Sequence, residues 1–397
     1  MGTEQGHIGL SAERLGSARA LFPFTSDGII YLNHAGTSPL SSRVVDALTM
    51  YLKERSQGML ETYPRDRQII AECRTMVQRL VGAESPDRIA LVGSTTEAIN
   101  IVASGIDWKS GDRILSNTVE FPGNVYPYLN LKQRGVELDF LQDVQGAVTP
   151  QAIADGITPR TRLVALSAVQ FLSGYRTDLA QIGEVCRRRG IVFAVDGIQA
   201  VGAIRIDVQR MKIDALAAGG QKWQTAPHGS GFLYLTEALQ ARLRQQSLGW
   251  LSVENPWDFH NYDQPIAASA RRYEGGSLNI PSLWGMHAAL STLLEVGTEQ
   301  IEQHILSLTT VLTDQLRQGD ALQLYSPLLP HERAGIVTLD LPAGVDHNAV
   351  LDGLSRRHIT AALRERKLRF SPHFYNSTDE MHSTVSATLE ALAAAHV

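Results

Sequence analysis

The chain has 397 residues, of which 44% are hydrophobic and 19% charged, and its net charge is −5 at pH 7. These values are typical of a globular protein long enough for one large domain and a smaller one. The sequence contains neither a basic block nor an apolar run of about 20 residues, so we expect no nucleic-acid partner and no membrane span.

The N-terminus and the cysteines indicate the compartment. The segment MGTEQGHIGLSAERLG has no basic start followed by an apolar core, so we expect no secretory leader. The two cysteines, Cys73 and Cys186, lie in amphipathic segments, with no Cys-x-x-Cys spacing and no nearby histidine. This pattern predicts buried, reduced thiols, no bound metal and a cytoplasmic protein.

Short apolar runs alternate with helical patterns between residues 89 and 235. RIALVG leads into the helix TTEAINIVASGI, and DRILSN precedes a helix expected from Asn124 to Arg134. VELDFL and RLVALSAV follow, then the helix LAQIGEVCRRRG, and then IVFAVD, IDALAAG and GFLYL. Strands separated by helices of about 10–15 residues indicate an α/β fold with a mainly parallel sheet covered on both faces.

The last hundred residues show a different pattern. We expect a helix over 301–316, then GIVTLDL, a helix near 347–356, ITAALRE, LRFSPHF and a terminal helix from about Asp379. This order predicts a small α+β domain that the first thirty residues join in space. We therefore expect a large domain at 30–290 and a small domain formed by 1–29 and 291–397.

The residues that follow the apolar runs are the candidates for a ligand site, because ligands of parallel sheets bind beyond the carboxyl ends of the strands. GSTTEAIN, residues 93–100, places hydroxyl groups at a helix start, which suits a phosphate. A plain Ser/Thr N-cap with Glu97 in the first turn is the alternative. Phe121 either covers a flat ligand or belongs to the core, and Gln170 ends another run.

Asp196 and Lys222 carry the strongest chemical signal. Asp196 ends IVFAVD, where an unpaired carboxylate costs roughly several kcal/mol unless a cation meets it, and Gln199 follows in the turn. Lys222 stands between Gly-Gly-Gln and Trp223, where burial would lower its pKa and make it a better nucleophile; a surface loop lysine is the alternative. Pyridoxal 5′-phosphate (PLP) has a pyridinium nitrogen, an aldehyde, a phosphate and a flat ring, and it satisfies all four features.

With these motifs, and with IIYLNHAGTSPLSSRVVDAL and LRFSPHFYNSTDEM towards the two ends, the sequence resembles the class-V aminotransferase family of fold-type-I PLP enzymes. That family includes cysteine desulfurases, selenocysteine lyases and isopenicillin N epimerase. The resemblance implies a role for each of the following residues: Lys222 as the internal aldimine, Asp196 at the pyridinium nitrogen, Gln199 and Gln170 near the ring hydroxyl, Phe121 stacked on the ring, and Thr95 or Thr96 at the phosphate.

The resemblance also implies how substrate and partner bind. Arg369, in KLRFSPHFYN, corresponds to the arginine that holds the substrate α-carboxylate, and Arg364 is either a second anionic contact or a solvated charge. RRYEGGSLNIPSLWG is similar to the segment that crosses the dimer interface, so Ser277 would reach the partner's phosphate in a homodimer with a shared active site; a surface turn is the alternative. His34 is expected either in the substrate pocket or as a structural histidine.

Two departures from the family pattern matter. Only ERKL separates Arg364 from Arg369, where desulfurases carry a mobile loop with a nucleophilic cysteine. Gln221, which can still bind a phosphate or a ring group, stands where many relatives have histidine, and Phe121 replaces the stacking histidine of desulfurases.

The resemblance therefore implies a PLP-dependent enzyme that acts on an α-amino acid as a transaminase or a carbon–sulfur β-lyase. The alternatives are an amino-acid epimerase and a catalytically silent member of the fold. Epimerisation needs a second acid or base opposite the lysine, for which the candidates are His34, Tyr63, His228 and His373.

Overall fold

The structure is a computed structural model that describes residues 9–59, 62–318 and 322–395. Residues 1–8, which belong to the predicted small domain and to the N-terminal segment in which no secretory leader is expected, lie outside these ranges. Within them, no helix combines the length and the apolar character that crossing a membrane requires.

The strands are two to seven residues long. They are Ile30–Tyr31 (β1), Ile89–Val92 (β2), Arg113–Asn117 (β3), Glu137–Leu141 (β4), Thr161–Ser167 (β5), Val192–Asp196 (β6), Ala215–Gly219 (β7), Gly231–Leu235 (β8), Gln323–Leu324 (β9), Val337–Asp340 (β10), Ile359–Thr360 (β11), Ala362–Arg364 (β12) and Lys367–Phe370 (β13).

The helices alternate with these strands. They are Ala12–Ala20 (α1), Ser42–Ser56 (α2), Tyr63–Val81 (α3), Thr95–Gly105 (α4), Tyr126–Leu129 (α5), Pro150–Gly156 (α6), Leu179–Arg189 (α7), Glu237–Arg242 (α8), Ile280–Val296 (α9), Thr298–Leu316 (α10), His347–Ser355 (α11) and Thr378–Ala394 (α12).

The large sheet has seven strands in the order β2-β8-β7-β6-β5-β3-β4. All neighbouring pairs are parallel except those of β8, which runs antiparallel to β2 and β7. The central strands β6 and β7 are fully buried, as expected for a sheet with helices on both faces. The prediction of an α/β fold with a mainly parallel sheet is confirmed.

The helix α7 shows how local sequence sets these elements. The Asp178 side chain accepts a hydrogen bond from the backbone N–H of Gln181 and caps the first turn. Leu179 and Ile182 face the core, and the helix ends at Gly190, whose φ of 65° is readily adopted by glycine. Helix α7 thus returns the chain to the start of β6. Strand β6 then places Asp196 at the side of the sheet where the parallel strands have their carboxyl ends.

A second, antiparallel sheet has the order β12-β13-β10-β9. Strand β1 pairs in parallel with β11, so the chain before the large sheet contacts the C-terminal part. Helix α9 spans the predicted boundary at residue 290, and its side chains as far as Leu293 pack in the core beneath the large sheet. The division into a large and a small domain stays a prediction.

Two predicted elements differ from the structure. The helix expected over 124–134 is wrong, because only Tyr126–Leu129 is α-helical, between 3-10 turns at Pro122–Asn124 and Asn130–Arg134. Pro127, inside the expected range, lacks the backbone N–H that a continuous helix needs. The run LRFSPHF is a strand only as far as Phe370.

Candidate active site

A cavity of about 310 Å³ lies beyond the carboxyl ends of the parallel strands. Residues from the loops after β2, β3, β5, β6 and β7 meet there with two arginines of β12 and β13. The predicted site residues that line it are Thr95, Thr96, Phe121, Asp196, Gln199, Gln221, Lys222, Arg364 and Arg369. Three predicted residues, Gln170, Ser277 and His34, are not among the lining residues.

Asp196 ends β6 and is 4% exposed. One of its carboxylate oxygens accepts a hydrogen bond of 2.9 Å from the backbone N–H of Ile198. Burial raises the pKa of Asp196, since the charged form loses its hydration. Within the described ranges no basic nitrogen lies within 4 Å of the carboxylate, which leaves this acid in need of a cation.

Lys222 comes three residues after the end of β7. Its Nζ lies 5.6 Å from the centre of the Phe121 ring, on the cavity side. Burial lowers the pKa of the Lys222 amine; Asp196 opposes this effect, whereas the positive charges of Arg369 and Arg364 reinforce it. The amine therefore loses its proton more readily than an exposed lysine does, which suits a nucleophile or a base.

The turn that carries Lys222 is held by buried hydrogen bonds. The His373 ring contacts the Trp223 carbonyl at 2.8 Å, and the Trp223 indole N–H donates to the Gln199 amide oxygen at 2.9 Å. The Gln199 amide nitrogen donates in turn to the Ala35 carbonyl at 3.0 Å. Gln199 therefore keeps one amide hydrogen for a ligand, and its orientation is fixed by the protein.

Arg369 is a buried cation without an acidic partner. Its guanidinium makes one hydrogen bond, from Nη1 to the Phe171 carbonyl at 2.6 Å, and its buried Nε has no partner. In the described part of the chain no carboxylate lies within 4 Å of it. Burial, together with the charge of Arg364, lowers the pKa of Arg369 to about 10, so it stays charged at neutral pH. This arrangement suits an anionic ligand.

Arg364 differs from Arg369 in its surroundings. It lines the same cavity but is exposed, and its Nη1 donates to the adjacent Leu363 carbonyl at 2.8 Å. Both alternatives for Arg364, a ligand contact and a solvated charge, fit this position. Its charge reaches Arg369 and Lys222 in either case.

The start of α4 combines capping with ligand access. Ser94 caps the helix by accepting from the Glu97 N–H, so this alternative is confirmed for Ser94 and Glu97. The buried Thr95 hydroxyl accepts from the last N–H of β7 at 2.8 Å, whereas Thr96 is exposed at the cavity. The free N–H groups of this first turn suit an anion, and the phosphate role of both threonines stays a prediction.

His34 and Ser277 lie away from the cavity. His34 is fully buried, and its two ring nitrogens contact the Ser371 carbonyl at 2.8 Å and the Tyr375 hydroxyl at 2.6 Å. Burial holds the pKa of His34 well below its usual value. These contacts favour the structural alternative for His34. Ser277 is exposed and does not line the cavity of its own chain.

The other acid–base candidates also lie outside the cavity. His373 is buried, with a pKa lowered to about 4 by burial, and it accepts from the Phe374 N–H. His228 is exposed and contacts Thr37, and Tyr63 packs edge-on against an exposed tryptophan. Among the described residues of one chain, no histidine, tyrosine or cysteine lines the cavity.

Cys73 and Cys186 are both buried and unpaired, and neither lines the cavity. Burial raises the pKa of each thiol to about 12, which keeps both of them protonated and unreactive at neutral pH. Where the structure describes side chains, no group of three or more His, Cys, Asp or Glu residues is placed to hold a metal ion.

Glu120 was missed by the sequence reasoning. It is buried beside Phe121 and accepts a hydrogen bond of 2.9 Å from Gln170, which orients that amide next to the cavity. The available signal was an acidic residue three positions after the end of a strand, which is weaker than that of Asp196, the last residue of an apolar strand. Phe171, also unpredicted, packs edge-on against Phe121 at 5.4 Å between ring centres.

Comparison with known proteins identifies the family. The sequence pattern of the family described as Aminotransferase class-V matches residues 30–364. This chain belongs to the class-V aminotransferase family. It is 29% identical to a probable cysteine desulfurase of Methanothermobacter thermautotrophicus over 387 residues, which cover 92% of this chain and 94% of that protein.

Two similar solved structures come from C-DES. The cystine C–S lyase C-DES in complex with its reaction product cysteine persulfide superposes with a TM-score of 0.86 at 25% identity, covering 95% of this chain and all of that one (100%). A C-DES variant with glycine covalently linked to its PLP cofactor has the same TM-score, 0.86, at 24% identity, covering 93% and 98% of the two chains. The latter likeness shows the fold alone.

The family member described here is a PLP-dependent enzyme that acts on an α-amino acid, of the transaminase or carbon–sulfur lyase type. Its own residues fit PLP. The cavity presents a buried carboxylate, an amine, a helix start and an aromatic face. Among the described residues, the carboxylate has no cation within 4 Å and the buried Gln170 amide oxygen beside the cavity has no hydrogen-bond partner. These are the groups that the pyridinium nitrogen, aldehyde, phosphate, ring and ring hydroxyl of PLP require.

Proposed function

We propose that this enzyme is a carbon–sulfur β-lyase that removes a sulfur substituent from a small cysteine-type α-amino acid. The observation that carries the proposal is Arg369, whose buried guanidinium faces the same cavity as Lys222 and Asp196 and has no carboxylate within 4 Å in the described part of the chain. A substrate carboxylate placed on Arg369 brings the amino group and Cα towards the Lys222 amine. The volume of about 310 Å³ suits PLP with a small amino acid.

When bound, PLP withdraws electrons from Cα of the amino acid attached to it. Asp196 holds the positive charge of the ring nitrogen, and the burial of Asp196 strengthens this interaction. Lys222 would hold the cofactor through its aldehyde. Its amine, whose pKa burial lowers, is placed to take the Cα proton of the substrate and to give a proton to the departing sulfur. With one water consumed, the products would be a thiol or persulfide, pyruvate and ammonia.

The remaining site residues position the cofactor in this proposal. Phe121 covers the ring face, and Gln170 and Gln199 contact the ring hydroxyl. Thr95 or Thr96, with Gln221, contacts the phosphate. His34, whose ring nitrogens are both occupied, supports the loop at residues 34–38 and does not bind substrate.

Two observations favour β-elimination over the alternatives, and a third favours release of the sulfur. The relative named above is a probable cysteine desulfurase, and the structure at 25% identity is that of a cystine C–S lyase. Both cysteines are buried away from the cavity, which favours release of the sulfur over transfer to a protein thiol. The described lining lacks a second acid or base, which disfavours epimerisation. Transamination stays the second candidate, since it also requires only Lys222 as a base.

We propose that the enzyme is a homodimer with shared active sites, in which Ser277 contacts the partner's phosphate. Ser277 is exposed, and the adjacent Gly276 lies beside Trp250. Trp250, Trp257 and Phe259 are exposed aromatic side chains that pack against one another. Exposed aromatic clusters are typical of protein interfaces. Sedimentation should give a dimer, and S277A should weaken PLP binding without changing sedimentation.

We also propose the domain limits 30–290 and 1–29 with 291–397, and a cytoplasmic location. The pairing of β1 with β11 supports placing the N-terminal segment with the C-terminal part. The two unpaired buried thiols support a reducing compartment. Limited proteolysis and cell fractionation test these two points.

A panel of L- and D-amino acids, including cysteine and cystine, tests the reaction with and without an α-keto acid. We expect pyruvate together with sulfide or persulfide, formed without added keto acid. Exchange of amino groups that depends on the keto acid would establish the transaminase instead, and loss of optical rotation without either product would establish the epimerase. Absence of all three products with PLP-loaded protein would indicate a silent member of the fold.

A further inference from the structure

Glu120 is a buried carboxylate that the mechanism above does not use. Its two oxygens accept five hydrogen bonds of 2.5 to 2.9 Å, from the side chains of Asn117, Asn124 and Gln170 and from the backbone N–H and hydroxyl of Ser167. In the described part of the chain, no arginine, lysine or histidine nitrogen lies within 4 Å of it. A buried negative charge with donors but no counter-ion favours a cation nearby.

The position of Glu120 places its charge beside Asp196. Ser167, which makes two of the five hydrogen bonds, is the register partner of Asp196 in the neighbouring strands β5 and β6. The Glu120 charge adds to burial in raising the pKa of Asp196, whereas Lys222 acts in the opposite direction. Burial raises the pKa of Tyr128, and the charges of Asp196 and Glu120 add to this effect. Two carboxylates thus lie close together at the Asp196 end of the cavity, and of the two Asp196 lines it.

Glu120 also connects two residues that flank the cofactor space. Through Asn124 it fixes the short turn that carries Phe121, the aromatic wall of the cavity. Through Gln170 it holds an amide whose buried oxygen has no partner. Glu120 therefore positions both the Phe121 ring, which forms a wall of the cavity, and the Gln170 amide, whose oxygen is unpaired among the described residues.

We propose that Glu120 is a positioning residue for the cofactor, which fixes Phe121 and Gln170 and adds a second negative charge that stabilises a cationic ligand beside Asp196. The inference rests on the proposed function, because PLP supplies the cation. It assigns to Glu120 no contact with substrate and no proton transfer.

Three variants of the PLP-loaded enzyme test this role. E120Q keeps the shape and removes the charge, E120D keeps the charge and shortens the side chain, and E302Q is the control. Glu302 is equally buried, but it binds Arg176 and Arg205 away from the cavity. The two measurements are the pH midpoint of the cofactor's visible absorption band and the PLP dissociation constant.

We expect E120Q to lower the midpoint by about half a pH unit or more, because the protonated cofactor loses a nearby negative charge. E120D should keep the midpoint and weaken PLP binding about tenfold, since the shorter acid cannot reach all five donors. E302Q should match the wild type in both measurements. A shift seen in E120Q and not in E302Q cannot then be due to the loss of a buried carboxylate in general.

A wild-type midpoint in E120Q would overturn the charge role, and wild-type PLP affinity in E120D would overturn the positioning role. If E120Q does not fold, E120D still decides the positioning role through its PLP affinity, and E120N, which also removes the charge, decides the charge role through its midpoint. If the wild-type protein itself shows no visible band with PLP, the proposed function fails, and this outcome is distinct from failure of the inference.

Discussion

Two groups of buried charges in this protein are arranged in opposite ways. Beneath the free edge of β2, Arg74 and Glu274 form a two-pronged ion pair of 3.1 and 2.5 Å, and Glu274 also accepts from the Leu91 N–H at 3.0 Å. In the cavity, Asp196 and Arg369 are as buried, but each makes one hydrogen bond and has no opposite charge within 4 Å among the described residues.

The contrast separates structural charges from functional ones. Glu274 closes the open edge of a sheet and its charge is neutralised within the chain, so its role is complete without a ligand. Burial of the Asp196 and Arg369 charges costs desolvation free energy that the described chain does not offset. A cationic ring beside Asp196 and an anionic substrate beside Arg369 would offset it. Removing a functional charge should therefore change catalysis, whereas removing a structural one should change stability.

Among the tests of this contrast, substitution of Arg369 should have the largest effect on activity. R369Q should lower kcat/KM for a carboxylate-bearing amino acid by at least about 100-fold, since a buried charged contact is worth about 2–5 kcal/mol. The bound cofactor should still show its visible absorption band. R364Q, which removes an exposed charge, is the matched control and should have a smaller effect. Unchanged kcat/KM in R369Q would remove Arg369 from the substrate site.

The structural pair should behave in the reverse manner. E274Q should lower the free energy of unfolding by about 3 kcal/mol, because it leaves the Arg74 guanidinium buried without its acid. Urea denaturation measures the loss. E295Q, which breaks an exposed ion pair with Arg43, should cost no more than about 1 kcal/mol. If E274Q proves as stable as E295Q, buried ion pairs do not support the β2 edge as described.

Replacement of the two cysteines should have the smallest effect on activity, because they belong neither to the structural nor to the functional charges. C73A/C186A should retain kcat within about twofold per folded enzyme, since neither thiol reaches the cavity. Because burial raises both thiol pKa values to about 12, alkylation of the native protein should stay slow at pH 7 and accelerate only at strongly alkaline pH. Loss of sulfur release in this variant would point to a thiol mechanism instead.

The sequence was sufficient to predict the residues at the strand ends but not their partners. Asp196 and Lys222 stand out because each follows an apolar run that fixes its strand locally, and β5–β7 form as expected. The structural role of His34 depends on Tyr375, which is 341 residues away along the chain. Such a contact forms only when the fold brings the two ends together, and no local pattern indicates it.

The cluster around Glu120 was hidden for a related reason. Its donors come from two segments, residues 117–124 and 167–170, which become neighbours only when β3 pairs with β5 in the folded sheet. The failed helix prediction over 124–134 is different, since Pro127 was visible in the sequence and its missing N–H outweighed the apolar pattern.

Covalent trapping of the cofactor tests the central claim most directly, namely that Asp196 and Lys222 hold PLP between them. Borohydride reduction of the purified, PLP-loaded protein should shift the visible band and add the mass of a phosphopyridoxyl group to the peptide that contains Lys222. No peptide of K222A should carry this label. Wild-type turnover and an intact visible band in K222A, or the label on another lysine, would contradict the account.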